Sequence, residues 1–192
     1  MKDYLAKYTS ELNGCVKNFD AGQFGKIIDI LAEAYKKDRQ VFIAGNGGSA
    51  GSANHFVCDF GKNAVDYKSG KRRFRIISVS DNIEKFSALA NDISFEETFS
   101  FQLGNLMNPE DVLIMVSASG NSPNVVRACE FAKTRGARII ALAGFKGGKL
   151  KDFADAAVIA DLPSYEQIED AHLIVLHMIV YYFKTHPEAL GL

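Results

Sequence analysis

Five short apolar runs, separated by stretches of helical periodicity, constrain the fold of this 192-residue chain more than any other feature. They read "QVFIA" (40–44), "RFRIISV" (73–79), "DVLIMVS" (111–117), "ARIIALA" (137–143) and "DAAVIAD" (155–161), each bounded by Gly, Asp, Ser or Lys clusters. Runs this short, β-branched and nearly all apolar suit strands buried on both faces. The segments between them predict helices over 49–62, 83–107 in broken form, 122–135, about 147–153 and 166–183. Strands that alternate with helices imply an α/β fold in three layers, a five-stranded parallel sheet flanked by helices. Two more helices come first: Tyr4, Leu5, Tyr8 and Leu12, then Phe24, Ile27, Ile28, Ile30, Leu31 and Tyr35, recur at helical spacing within residues 1–37. With no internal repeat, low-complexity tract or linker, residues 1–192 are expected to form one domain.

Charge and cysteine content narrow the function classes. A formal net charge of −1 gives no argument for nucleic acid or an anionic membrane as the main partner. Cys15, Cys58 and Cys129 are odd in number and form no CxxC pair, which points to a reducing, cytoplasmic setting without a disulfide framework. The start of the chain mixes charges throughout, and the most apolar stretch, "AHLIVLHMIVYYF", is broken by two histidines, so no membrane segment is expected.

Two loops carry the chemistry. After the first strand comes Gly45-Asn46-Gly47-Gly48-Ser49, opening a helix. Glycines there let backbone N–H groups approach a ligand, and a helix N-terminus favours a phosphate or carboxylate. The spacing is neither the dinucleotide fingerprint nor a P-loop. The bland alternative is a tight βα turn with Ser49 as N-cap. The second loop, "SASGNSPN" (117–124), repeats this grammar: Ser117, Ser119 and Ser122 surround Gly120-Asn121, and Pro123 sits at a first helical turn. Capping accounts for one of these serines and poorly for three, so the loop reads as a site for a phosphate monoester.

Together "GNGGSA", "SASGNSPNV" and "GFKGGKL" resemble, in order and placement, the SIS (sugar isomerase) family, and most nearly its bacterial phosphoheptose isomerases. The resemblance spans nearly the whole chain. It implies an SIS-type fold and aldose–ketose isomerisation of sedoheptulose 7-phosphate to D-glycero-D-manno-heptose 7-phosphate. It also implies a homotetramer and a zinc site built from His55, Asp59, Glu169 and His177. Residues 55 and 59 share one helix face, as do 169 and 177. By the same resemblance Asn46, Gly47, Gly48, Ser49, Asn91 and Asp92 would contact the sugar, and Ser117, Ala118, Ser119 and Ser122 the phosphate.

The chain departs from the family pattern at three of these positions: Asp59 replaces a usual Glu, Glu169 a usual Gln, and Ala118 a common Thr. Asp59 is one methylene shorter, and a base misplaced by about 1 Å can cost on the order of 100-fold in rate. Isomerisation needs a base for a proton α to a carbonyl, an acid for the oxygen and stabilisation of an enediolate. Asp59 is the expected base with Glu169 as its substitute, His177 the acid–base partner, and zinc the Lewis acid. The alternatives are an isomerase of another phosphorylated sugar, or a non-catalytic SIS protein that binds a sugar phosphate or a protein partner. Retention of His177 argues against the family's non-enzymatic, protein-binding relatives, some of which lack that ligand.

Overall fold

Val41, Phe42, Ile43 and Ala44 are completely buried, as are Leu113, Ile114, Met115 and Val116, because helices cover both faces of the sheet they lie in. A computed structural model describes residues 1–192 and places β1 (Gln40–Gly45), β2 (Arg75–Ser78), β3 (Val112–Ser117), β4 (Arg138–Gly144) and β5 (Ala156–Ala160) in one sheet. All pairs are parallel and the order is β2-β1-β3-β4-β5, with Val41 opposite Val112 and Leu113 opposite Ile139. The five expected strands are the five observed. Central strands buried on both sides lose the alternation of a one-sided sheet. The edge strand β5 keeps it, alternating buried with half-buried residues.

The helices are α1 (Lys2–Lys17), α2 (Ala21–Lys36), α3 (Gly47–Asn63), α4 (Ile83–Asp92), α5 (Ser100–Leu106), α6 (Pro123–Thr134), α7 (Leu150–Phe153) and α8 (Tyr165–Thr185). The segment 83–107 is broken as expected, into α4, a 3-10 turn at Phe95–Glu97 and α5. Ile27 and Leu31 of α2, Phe56 and Phe60 of α3, and Val175, Ile179 and Phe183 of α8 pack on one face of the sheet, against Val41, Ile43, Ile114 and Ile140. On the other face Leu103 of α5 and Val125, Ala128 and Cys129 of α6 meet Phe42, Met115 and Ile139. No residue of α1 is buried. Leu12 and Cys15 pack, half-buried, on the cluster of Ile168 and Ala171 of α8, and polar contacts add to this, Tyr8 donating to Asp170 at 2.7 Å and Gln167 to Glu11 at 2.9 Å. No helix is long and apolar enough to cross a membrane.

This topology positions the site. The helix after β1 lies on one face and the helix after β3 on the other, although the two strands are neighbours. Their connections therefore part at the carboxyl ends of β1 and β3 and leave a crevice, the place where open α/β sheets bind ligands. The first loop differs from expectation in one detail. Gly47 adopts φ +53°, which tightens the turn, so α3 starts at Gly47 with Asn46 at the N-cap position, and Ser49 lies within the first turn.

His172 of α8 is the one histidine wholly inside the protein, and neither ring nitrogen has a hydrogen-bond partner. Burial pushes its pKa down to about 4. An unfolded imidazole takes up its proton near about 6.5. Stability gained by keeping His172 neutral is thus complete above that value and lost as pH falls from there through about 4. Thermal unfolding of His172→Leu should show a higher midpoint and a flatter pH dependence between those limits than the parent chain. An unchanged slope would show that another group governs acid sensitivity.

Candidate active site

Asn46 and Ser49 from the first loop, Ser117, Ala118, Ser119 and Ser122 from the second, and Val116, Tyr165 and Glu169 line a cavity of about 220 Å³ at the crevice. Two helix N-termini border it, and both are left open. Elsewhere the N-cap side chains do their ordinary work: Asp20 accepts from Gly22 and Gln23, Asn82 from Lys85 and Ser164 from Gln167. Asn46 and Ser122 hold the same position on α3 and α6, yet neither side chain makes a cap bond. The first-turn N–H groups of α3 and α6 are therefore free of side-chain caps beside the same cavity, an arrangement suited to an anion. The capping role considered for Ser122 is not realised. Ser117 and Ser119 accept from Gly120 and Asn121 at 3.2 Å each, which leaves their hydroxyl hydrogens available to donate.

The "GFKGGKL" segment clamps this second loop and stays outside the cavity. Asn121 accepts from the Lys149 backbone at 3.0 Å and donates to Ser119 at 2.9 Å, while the Leu150 backbone donates to Gly120 at 2.9 Å. Gly120 has φ +62° and Gly148 φ +55°, and a Cβ on Gly148 would overlap the Ser119 carbonyl. Only glycine lets the two loops approach this closely.

Asn46 is turned away from its own helix by a group that sequence reasoning missed. It donates to Asn124 at 2.9 Å and accepts from it at 2.9 Å. Asn124 is completely buried, as is Thr98, to which it donates at 3.0 Å. An Asn at the second helical position after a Ser-Pro reads locally as an unremarkable helix start. Its partners are 78 and 26 residues away, and no local signal reveals them.

Along α3 and α8, which run side by side, lies a second cluster. His55 Nε2 is 3.0 Å from His177 Nε2 and 3.1 Å from Asp59 Oδ2, and His177 Nε2 is 3.6 Å from the same oxygen. Four ligand atoms around zinc at about 2.0–2.1 Å form a tetrahedron with edges of about 3.3 Å. The triangle fits one face of it. With each imidazole proton on Nδ1, three lone pairs converge on one point, as ligation of a cation requires. The residues present therefore fit a zinc ion, with the fourth position open. Asp59 Oδ1 lies outside the triangle and takes only the Asn63 amide, at 3.4 Å.

Of the four ligands the resemblance implies, the structure gathers three. Glu169 lies level with Gly48, whose missing Cβ makes room for its carboxylate, while His177 lies level with His55. Seven residues separate Gly48 from His55, so Glu169 stands about 10 Å along the helix pair from the histidines. It belongs to the cavity lining. Asn91 and Asp92 end α4, are exposed, bond to each other at 2.8 Å and do not line the cavity.

Gly48 offers a test of this arrangement. It lies inside a helix, where Ala in place of Gly is favourable by roughly 0.5–1 kcal/mol, and the obstacle is the mobile end of Glu169. Gly48→Ala should unfold no earlier than the parent while weakening ligand binding, because Glu169 is pushed from its place. Calorimetry and thermal unfolding check this together, and loss of stability with intact binding would contradict it.

Known proteins share this architecture. The SIS domain model matches residues 3–144. The phosphoheptose isomerase of Helicobacter pylori (strain P12) is 36% identical over 159 residues, 83% of this chain and 81% of the relative. That of Chlorobaculum tepidum is 34% identical over 176 residues, 90% of this chain and 83% of the relative. Among solved structures, the phosphoheptose isomerase from Neisseria gonorrhoeae shares the fold at TM-score 0.85 and 24% identity, covering 96% of each chain. One from Francisella tularensis does so at TM-score 0.85 and 20% identity, with the same coverage. With its crevice at the β1/β3 switch, two open helix N-termini and these relatives, the chain belongs to the SIS domain family, among the phosphoheptose isomerases.

Proposed function

We propose that this chain interconverts sedoheptulose 7-phosphate and D-glycero-D-manno-heptose 7-phosphate as a zinc-dependent aldose–ketose isomerase. The observation that carries the reading is the triangle of His55, Asp59 and His177, built on the helix pair that also borders the serine-lined cavity. The names of the relatives above support the substrate. Placing the phosphate at Ser117, Ser119 and Ser122 leaves the carbonyl end to reach along α3 and α8 towards the triangle. A long open-chain sugar phosphate suits that separation.

Zinc held by His55, Asp59 and His177 supplies a Lewis acid for the sugar carbonyl. Asp59 keeps both its roles because its two oxygens face different ways. Oδ2 points to the imidazoles, and Oδ1 is free to take the proton from the carbon beside the carbonyl and return it to the neighbouring carbon. His177, whose Nε2 would hold the metal, has only its Nδ1–H left to serve as the acid–base partner at the sugar oxygen. Glu169 and Asn46 orient sugar hydroxyls, and Gly47 and Gly48 let the chain pass close to the backbone.

We read the protein as a cytoplasmic homotetramer, in which exposed Tyr4 and Leu5 of α1 and Met178 and Tyr181 of α8 would be covered. Residues 1–192 act in this reading as one domain.

An isomerisation assay with sedoheptulose 7-phosphate tests the reading. Asp59→Asn should lower kcat by about 10²–10⁴-fold, the usual contribution of a positioned base. Glu169→Gln should keep kcat within about tenfold and change mainly KM. The reverse pattern would make Glu169 the base. Metal binding without turnover of this substrate would move the reading to another phosphorylated sugar.

A further inference from the structure

The unused cap at Asn46 has a structural cause, and the cause points to a residue that does not line the cavity and has been given no role so far. Asparagine at an N-cap ordinarily folds its side-chain oxygen onto the first-turn N–H groups. Asn46 sits at that position and does not. Both its polar side-chain atoms are taken instead by Asn124, through two bonds of 2.9 Å. The Asn124 amide nitrogen is fixed from behind by Thr98 at 3.0 Å, and Thr98 in turn donates to the Phe95 carbonyl at 2.9 Å. Asn124 and Thr98 are completely buried, and neither lines the cavity.

We infer that Asn124, buttressed by Thr98, is a positioning residue that keeps the N-terminus of α3 open for ligand by holding Asn46 off it. Without Asn124, Asn46 has a better local partner within reach, its own helix. Its carbonyl oxygen then covers the first-turn donors and the cavity loses them. The same pair joins the β1 loop to the first turn of α6, so the two halves of the cavity keep one spacing. The inference rests on the sugar-phosphate reading of the cavity, and it assigns a function to a buried amide pair that otherwise reads as core polarity.

A substitution cycle tests it, with inorganic phosphate as the calorimetric probe and thermal unfolding as the check on folding. Asn124→Ala should weaken phosphate binding about tenfold, the scale of one lost hydrogen bond to a charged group. Asn46→Gly removes the side chain that would do the covering, and glycine is tolerated at an N-cap, so on its own it should cost about threefold or less. The decisive variant is the double one. Asn46→Gly combined with Asn124→Ala should bind phosphate as Asn46→Gly alone does, which a purely structural role for Asn124 would not produce. Thr98→Val, which keeps shape and removes both the acceptor for Asn124 and the donor to the Phe95 carbonyl, should give a smaller loss of about threefold that likewise vanishes with Asn46→Gly. It carries the same cycle if Asn124→Ala does not fold. For sedoheptulose 7-phosphate, KM should rise in Asn124→Ala while kcat stays within about threefold. Losses that simply multiply in the double variant would overturn the inference and leave the cavity assignment standing. Absence of phosphate binding in the parent chain would overturn both.

Discussion

The parallel contact between α3 and α8 is the constraint on which the rest of the site depends. These helices are not consecutive in the chain, and what brings them together is the hydrophobic layer they share, where Phe60 meets Phe183 with ring centroids 5.9 Å apart. At one end the helices approach closely because Gly48 has no side chain, and Glu169 occupies the space. About two turns further along, the same approach brings His55 and His177 to 3.0 Å. Apolar packing thus sets the spacing of the polar groups, and the glycine sets how near they come. A rigid pair of helices also suits a metal site, whose donor atoms must be held to within a fraction of an ångström.

Electrostatically, the cavity is unusual for the phosphate site we propose. Its lining holds one carboxylate, Glu169, and no Lys or Arg. Attraction for an anion must come from oriented neutral groups: serine hydroxyls and the uncapped first turns of α3 and α6. Such groups make the geometry of the loops decisive, since each donor is short-ranged. That explains the glycine contacts that pin the 117–122 loop and the buried amides that hold Asn46 aside. Glu169, in place of the amide usual in the family, adds a negative charge that the phosphate must avoid.

Much of the fold was legible because periodicity survives in the sequence. The five apolar runs became the five strands, and the parallel arrangement followed from the helices between them. The start of α3 was misread because Ser49 looks like a cap, whereas the positive φ of Gly47 moves the helix start two residues earlier. Within the site, residues four apart on one helix, such as His55 and Asp59, were readable as a pair. Their meeting with His177 followed only from family resemblance, since 122 residues intervene. Asn124 and Thr98 escaped notice for the same reason: their role exists only across the crevice. Asn91 and Asp92, placed by resemblance against the sugar, end α4 away from the cavity of this chain.

The central claim is that packing of α3 on α8 builds a metal site from two imidazoles and a carboxylate. X-ray absorption at the zinc edge, on protein loaded with one equivalent of zinc, tests it most directly. The account predicts a light-atom shell of nitrogen and oxygen at about 2.0–2.2 Å with the outer-shell signature of two imidazoles. A sulfur at about 2.3 Å would instead place the metal on exposed Cys58, beside Asp59, and contradict the account.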